Sequence, residues 1–197
     1  NGTNNSNVGG TAIVGEVYDA FVPPINAIGI KYYYATVQGT CGNIITTTAA
    51  SAEVQTPTAI TLQPLSVTYC KGTAPTPLKV EATGIGTLRY QWYYKPINSS
   101  TPTILPRETN STYTPVTSYA YAKDYLVVVT SDCGVVTSTI ARVEVKSEAT
   151  IYISPQRATY CKGAQAIPLT VQASGSEPFT YQWYTNTTNN QAGATAI

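Results

Sequence analysis

The stretch that decides the fold is TYCKG at Thr68–Gly72 followed by YQWY at Tyr90–Tyr93, because the chain contains this pair of motifs twice. The second copy is TYCKG at Thr159–Gly163 with YQWY at Tyr181–Tyr184. The two tryptophans, like the two cysteines of these motifs, are 91 residues apart. This is the length of one β-sandwich domain and is too long for a solenoid repeat. The sequence therefore predicts an array of domain-sized units.

The composition favours a folded protein with a polar but weakly charged surface. Of the 197 residues, 43% are hydrophobic and 10% aromatic, which is enough to bury a core in one or two domains. Only 11% are charged and the net charge is +1, so we expect neither nucleic-acid binding nor attraction to an anionic membrane. No apolar run approaches the roughly 20 residues that span a bilayer, so no membrane insertion is expected.

The central segment, residues 55–148, contains every piece of one unit in order. Short strand-like runs are separated by turn signals about every ten residues, without helical periodicity, which predicts an all-β antiparallel sandwich with almost no helix. Pro64 interrupts the first run, and this is tolerable only at a sheet edge or where a strand changes sheet. The expected strands are Ala59–Tyr69, Leu78–Thr83, Leu88–Tyr94, weak strands within 103–113, and a hairpin over Tyr125–Val145.

The flanking segments contain the motifs and strand-like runs of two incomplete units. The N-terminal segment, residues 1–54, corresponds to the second half of a unit, with strands expected at Lys31–Val37 and within 43–54. The C-terminal segment, residues 149–197, corresponds to the first half, with strands expected at Leu169–Ser174 and Tyr181–Tyr184. A half sandwich leaves core side chains and strand edges open to water. Joined tail to head between neighbouring copies, the two segments would complete one further unit.

The same comparison predicts which side chains meet in such a shared core. The C-terminal segment would contribute one set of apolar side chains and the N-terminal segment of the next copy another. Tyr90, Trp92, Tyr125 and Val127 are the expected counterparts in the central segment. The predicted assembly residues are Trp183, Tyr181, Leu169 and Val171 with Tyr33, Ala35 and Val37.

Four features together resemble the immunoglobulin-like repeats of large bacterial surface and secreted proteins. They are the YQWY motif, the Cys-x-Gly at Cys70–Gly72, a Tyr-Thr-Pro at Tyr113–Pro115, and the hairpin sequence at Tyr125–Gly134. The resemblance covers nearly all residues if the flanking segments are counted as broken repeats. It implies a seven-stranded sandwich in tandem, with Trp92 on strand C across the core and Tyr125 near the start of strand F.

One departure from that family concerns the positions that bridge the two sheets of antibody domains. The cysteines of this chain do not fall on strands B and F. Val80 and either Val127 or Val129 are expected to fill those core positions instead.

The four cysteines, Cys41, Cys70, Cys133 and Cys161, predict disulfides. The chain has no histidine, and no cysteines are spaced as Cys-x-x-Cys, which argues against a zinc site. A nucleophilic cysteine would also lack its usual base. Disulfides would place the protein in an oxidising compartment, outside the cell or on its surface.

Two disulfide pairings remain open. The first joins Cys70 to Cys133 within the central segment, and Cys161 to Cys41 across the composite unit. The immunoglobulin-like topology, however, implies that the first pair lies at opposite ends of the sandwich, about 30 Å apart, whereas a disulfide tolerates roughly 7 Å between Cα atoms. The second pairing joins Cys70 to Cys41 of the following molecule, and Cys161 to Cys133 of the following molecule.

The sequence contains no pattern that predicts an enzyme. We found no phosphate loop, Ser-His-Asp set, clustered aspartates for calcium or recurring carboxylate pair, so no catalytic residue, metal ligand or cofactor is expected. Surface tyrosines could form a sugar-stacking face, although aromatics covered by neighbouring side chains are the simpler interpretation. These tyrosines are Tyr93, Tyr94, Tyr119 and Tyr121.

The leading hypothesis is a structural subunit, or repeating fragment, of an extracellular or cell-surface filament whose partners are copies of itself. A variant of this hypothesis makes the 197 residues a window on a longer chain of such repeats. The alternative is a spacer or ligand-binding module of a secreted adhesin or polysaccharide-degrading enzyme, with surface glycans or host or cell ligands as partners.

Overall fold

The computed structural model describes residues 9–197, and this part of the chain is built from β-strands without a helix. The all-β prediction is therefore confirmed, and none of the described residues forms a helix that could cross a membrane. The predictions for residues 1–8 of the N-terminal segment lie outside the described residues. The strands are β1 Gly29–Tyr33, β2 Thr36–Val37, β3 Ile45–Thr46, β4 Ala50–Val54, β5 Ala59–Leu62, β6 Val67–Cys70, β7 Leu78–Lys79, β8 Glu81–Thr83, β9 Arg89–Pro96, β10 Thr103–Ile104, β11 Thr112–Tyr113, β12 Tyr121–Ser131, β13 Gly134–Thr137, β14 Ala141–Lys146, β15 Thr150–Ile153, β16 Gln172–Ser174, β17 Tyr184–Thr185 and β18 Thr195–Ala196.

The central segment contains a six-stranded sheet in the order β10-β9-β12-β14-β6, with β13 also paired to β12. Its longest pairing is antiparallel, between β9 and β12, where Trp92 lies opposite Val127. At the other side, β14 pairs with β6 in parallel, with Val145 opposite Tyr69 and Lys146 opposite Cys70. The last strand of the segment, β14, is thus paired with β6, which lies 76 residues earlier in the sequence.

Two predicted strands of the central segment are each divided between sheets. The run Ala59–Tyr69 becomes β5, which pairs with β8, and β6, which pairs with β14; Pro64 is buried between them. Of the two situations that the sequence allowed for Pro64, a sheet edge or a change of sheet, the chain changes sheet there. The run Leu78–Thr83 was predicted as one strand, but Val80 separates β7, on β11, from β8. The prediction was wrong there because the two halves have different pairing partners.

The core of the central segment is formed by one apolar cluster. The Trp92 indole is fully buried, and its Nε1 donates to the carbonyl oxygen of Asn110 at 2.9 Å. Tyr113 packs against both Trp92 and Tyr125, at ring-centroid distances of 5.8 and 5.1 Å. Burial of an aromatic side chain of this size stabilises a fold by a few kcal/mol. The cluster consists of Leu78, Val80, Trp92, Tyr125, Val127, Val129, Ala141, Val143 and Val145.

The valines that the sequence predicts for this core are enclosed. Val80 is buried, and so are both of the alternatives for the second position, Val127 and Val129. The cluster also contains Ala141, Val143 and Val145 of β14, which the analysis of candidate residues missed. Their alternation at every second position is the signal that could have identified them.

The flanking segments repeat the strand registers of the central segment. In the N-terminal segment, β1 pairs with β4 so that Tyr33 lies opposite Ala50, as Tyr125 lies opposite Ala141. In the C-terminal segment, β15 pairs with β16 through the same register irregularity that occurs between β5 and β8. The two flanking segments therefore adopt the local pairing of the corresponding parts of the central segment.

Strands in the C-terminal segment are shorter than the sequence predicted. The run Leu169–Ser174 forms a strand only at Gln172–Ser174, and Tyr181–Tyr184 only from Tyr184 onward. In the central segment the matching residues of β7 pair with β11, and those of β9 pair with β12. A strand needs a partner for its backbone groups, so these residues lack strand structure where that partner is missing from the described chain.

Candidate assembly surface

The candidate functional surface consists of core-type side chains that remain open in the flanking segments. Trp183 is 37% exposed, whereas its counterpart Trp92 is 0% exposed. Leu169 is 52% exposed, whereas Leu78 is 4% exposed. Identical residue types therefore occupy equivalent positions and differ in how much of the side chain is exposed.

The same open face continues through the other predicted residues of the C-terminal segment. Tyr181 is exposed although its counterpart Tyr90 packs against the central core. Val171 is half-buried, whereas Val80 is buried. We call the surface formed by Leu169, Val171, Tyr181 and Trp183 the C-terminal face.

A corresponding surface lies on the N-terminal segment. Val37 is 53% exposed, whereas Val129 is 0% exposed, and Ala35 is exposed at the position of the buried Val127. Tyr33 is half-buried, and Phe21 packs on its ring at 5.2 Å. We call the surface formed by Tyr33, Ala35 and Val37 the N-terminal face.

The backbone around Trp183 already has the geometry found around Trp92. The amide of Ile197 donates to the Trp183 carbonyl at 3.0 Å, as that of Leu105 donates to Trp92 at 2.9 Å. Gln182 Nε2 donates to the Ile197 carbonyl at 2.7 Å, the distance that also separates Gln91 Nε2 from the Leu105 carbonyl. The indole of the C-terminal face is thus held in a formed framework while one side of it remains open.

Two of the four cysteines, Cys70 and Cys133, lie at opposite ends of the central segment. Cys70 ends β6 opposite Lys146, beside the start of β12, whereas Cys133 follows the end of β12 in a turn. The eleven residues of β12 separate these ends by roughly 33 Å. The pairing of Cys70 with Cys133 within the central segment is therefore wrong, since a disulfide allows about 7 Å between Cα atoms. All four cysteines have free thiols in the single chain.

Charged side chains in the central segment form structural pairs. Asp124 is buried, and Arg142 Nε and Nη2 donate to its two carboxylate oxygens at 2.9 and 3.3 Å. This hydrogen bond and the carboxylate charge raise the pKa of Arg142 above its ordinary value. Among residues 9–197, no three His, Cys, Asp or Glu side chains are close enough to hold a metal ion.

The surface tyrosines singled out from the sequence form a patch beside the main sheet. Tyr119 stacks on Tyr121 at 5.2 Å, and Lys123 Nζ lies 4.5 Å from the centre of the Tyr94 ring. Tyr93, Tyr94 and Tyr121 are half-buried. The Lys123 side chain thus lies over the rings of both Tyr94 and Tyr121.

Three tyrosines lie in or against the core, namely Tyr125, Tyr113 and Tyr121, the last of which also belongs to the surface patch. Burial raises the pKa of the Tyr125 hydroxyl above its ordinary value, and the hydrogen bond that Tyr125 donates to Tyr121 at 3.4 Å raises it further. Burial also raises the pKa of Tyr113 and of Tyr121. These hydroxyls favour the neutral form, so they support packing and are poor proton acceptors near neutral pH.

Comparisons with known proteins add a domain assignment to this picture. Residues 58–147, which lie inside the central segment, match the family model of a domain of unknown function, DUF8696. No curated protein matches the chain. A solved structure described as Drosophila OTK, extracellular domains 3-5, is similar at 17% identity with a TM-score of 0.41. The similarity covers 73% of this chain and 48% of that one, so the chain spans about half of that structure's length.

Proposed function

We propose that the chain is a structural subunit of an extracellular or cell-surface filament, assembled head to tail through shared immunoglobulin-like sandwiches. Each copy contributes its complete central sandwich and two halves. The C-terminal face of one copy is covered by the N-terminal face of the next. The observation that carries this proposal is the exposure of Trp183, Leu169 and Val37 at positions where the central segment has fully covered core residues.

The register of the central segment indicates how the two faces would fit. Trp92 lies opposite Val127 and Tyr90 opposite Val129 on adjacent antiparallel strands. Because the flanking segments keep equivalent registers, Trp183 would lie opposite Ala35 and Tyr181 opposite Val37. Each large side chain of the C-terminal face then meets a smaller one of the N-terminal face.

Assembly would also satisfy backbone groups that are open in the single chain. The residues matching β6 are 158–161, which form no strand, and their expected partner is β4 of the next copy, by analogy with the β6–β14 pairing. Strand addition of this kind supplies main-chain hydrogen bonds together with burial of alternate side chains. A sandwich completed across two chains buries on the order of 2,000 Å² or more, the range of obligate interfaces.

The remaining surface suits an extracellular structural role. With 11% charged residues and a net charge of +1, long-range repulsion between copies is weak and contact between apolar faces is unopposed. Copies of the chain are the proposed partners. No cofactor, metal or catalytic role is assigned to any residue.

The test is assembly of the purified full chain in the presence of a reductant, followed by light scattering and negative-stain imaging. Filaments are expected from the natural sequence. Leu169→Asp would bury a carboxylate in the shared core, which costs several kcal/mol, so it should abolish filaments. Leu65→Asp is the matched control, because Leu65 is exposed in the central segment and its counterpart Gln156 is already polar.

The outcome separates the two functional hypotheses. Discrete short rods from the natural sequence at every concentration would contradict the filament and favour a spacer module of a larger secreted protein. Equal loss of filaments in Leu65→Asp and Leu169→Asp would contradict the specific role of the C-terminal face.

A further inference from the structure

The central segment has one cysteine at either end, Cys70 and Cys133, and the structure shows what lies beside each of these two. At one end of the central segment, Cys70 is the strand partner of Lys146, and the Lys71 amide donates to the Lys146 carbonyl at 2.8 Å. Adjacent strands are about 4.8 Å apart. Cys70 therefore lies next to the point where the chain leaves the central segment for the C-terminal segment.

At the other end, Cys133 lies next to the point where the chain enters the central segment. Its Sγ donates a long hydrogen bond to the Gln55 carbonyl at 3.8 Å, and its own carbonyl accepts from the Thr58 amide at 3.3 Å. The turn that carries Cys133 is thus fixed to the entering chain on both sides.

Gln55 and Lys146 are the same position in successive units. They are 91 residues apart, the spacing of the two TYCKG motifs. Gln55 directly follows β4 and Lys146 ends β14, and these two strands have equivalent registers with β1 and β12. In the assembled array, the residue at this position would lie between two sandwiches. The preceding sandwich would place the cysteine of its TYCKG motif, Cys70 or Cys161, beside it. The following sandwich would place its hairpin cysteine, Cys41 or Cys133, beside it. One backbone carbonyl would therefore lie beside both thiols.

We propose that these thiols form disulfides that join successive sandwiches, a proposal that rests on the head-to-tail assembly described above. At the Lys146 position, Cys70 pairs with Cys41 of the next copy. At the Gln55 position of the next copy, Cys161 pairs with Cys133 of that next copy. Each shared sandwich is then bridged at both of its ends by covalent bonds between the same two molecules.

The chemistry requires an electron acceptor, which we assign to a small-molecule disulfide such as oxidised glutathione. One cysteine thiolate attacks that disulfide and forms a mixed disulfide, releasing one thiol. The second cysteine thiolate then attacks the sulfur of the first cysteine and releases the other thiol. Two Sγ–H bonds are lost, one Sγ–Sγ bond forms, and the glutathione disulfide is reduced to two thiols. Cys41, Cys70 and Cys161 are exposed in the single chain, so the reagent can reach them.

The test uses double serine variants of the full chain, each of which keeps two of the four cysteines, oxidised with glutathione and run on non-reducing gels. Cys133→Ser with Cys161→Ser keeps Cys41 and Cys70, and Cys41→Ser with Cys70→Ser keeps the other proposed pair. Both should give a ladder of covalent multimers that collapses on reduction. The matched controls keep mismatched pairs, namely Cys70 with Cys133 and Cys41 with Cys161, and should give no ladder.

Peptide mapping of the natural sequence identifies the bonds. Cys41 and Cys70 share one tryptic peptide, so digestion must include cleavage at Glu53 to separate them. A mixture of isotope-labelled and unlabelled chains should yield mixed cross-linked peptides, which shows that the two cysteines come from different molecules. Ladders from the mismatched pairs that equal those from the matched pairs would overturn the proposal.

The result can be separated from the result for the filament itself. Filaments that form in reductant but give no pair-specific disulfide on oxidation would overturn the disulfides and leave the assembly intact. Absence of both filaments and covalent multimers would overturn both proposals.

Discussion

Trp92 and Trp183 occupy the same place in the same YQWY motif, yet one is enclosed and the other is open. The hydrogen bonds from Leu105 and Ile197 to their carbonyls are nearly equal in length. The difference therefore lies in long-range strand partners such as β12, which the central segment supplies to Trp92 and the described chain does not supply to Trp183. Local sequence gives both tryptophans the same backbone hydrogen bond, whereas long-range partners determine strand pairing and burial.

The largest expected effect is the loss of stability when the enclosed tryptophan of this pair, Trp92, is replaced. Trp92→Ala should lower the free energy of unfolding of the central segment by about 3–5 kcal/mol, because it removes the largest side chain of a closed core. Urea unfolding followed by far-UV circular dichroism measures it. Trp183→Ala is the matched control, and an equal loss in that variant would contradict the separation of the two environments.

The next largest effect is the loss of assembly when the exposed tryptophan, Trp183, is replaced. Trp183→Ala should raise the protein concentration needed for assembly by about 30-fold or more, the result of losing roughly 2 kcal/mol at a central aromatic contact. Sedimentation of polymer at a series of concentrations measures this threshold. Tyr152→Ala is the control, because Tyr152 is exposed and its counterpart Thr61 is also exposed in the central segment. A comparable shift in the control would show that any exposed aromatic residue contributes.

A third effect concerns the enclosed tyrosines of the central segment. A tyrosine in the unfolded chain ionises near pH 10, while burial raises the pKa of Tyr125 in the folded state above that value. Stability should be complete below about pH 10 and should fall as pH rises further, by up to about 1.4 kcal/mol per pH unit for this group. Urea unfolding at a series of alkaline pH values should show a shallower decline for Tyr125→Phe. An unchanged slope in that variant would contradict the assignment.

The smallest effect concerns how firmly the entering chain is held. Thr58 Oγ1 is 2.7 Å from Ser131 Oγ and donates to the Gly134 carbonyl at 2.8 Å. The matching position of the C-terminal segment is Ala149, which has no hydroxyl. Thr58→Ala should cost about 1 kcal/mol in unfolding free energy. Thr61→Ala is the control, because it makes the same substitution on the exposed side of β5. An equal loss of unfolding free energy in this control would show that strand propensity, and not the hydrogen bonds of Thr58, causes the effect.

Much of the fold could be predicted because its signals are local. Alternation over Tyr125, Val127 and Val129 placed these side chains in the core, and Pro64 indicated either a sheet edge or a change of sheet. The parallel pairing of β6 with β14 could not be predicted from the residues, since a pairing across 76 residues leaves no short-range pattern. The shortened strands of the C-terminal segment were missed for the same reason, because a motif does not show whether its partner is present.

The residues of the candidate surface could be predicted from the sequence, whereas the disulfide pairing could not. The repeat spacing identified Trp183 and Leu169 as counterparts of core residues. Sequence could not choose between the two disulfide pairings, because that choice depends on which end of the sandwich each cysteine occupies. The observed contacts of Cys70 with Lys146 and of Cys133 with Gln55 place them at opposite ends and remove the pairing within the central segment.

The parallel contact between β6 and β14 has a consequence for a chain under tension. The chain enters the central segment at the Cys133 end and leaves it at the Lys146 end. Tension applied to both termini would shear β6 against β14 along the strand direction. The hydrogen bonds between these two strands would then bear the force together and break together. We expect single-molecule stretching to give high rupture forces for this unit.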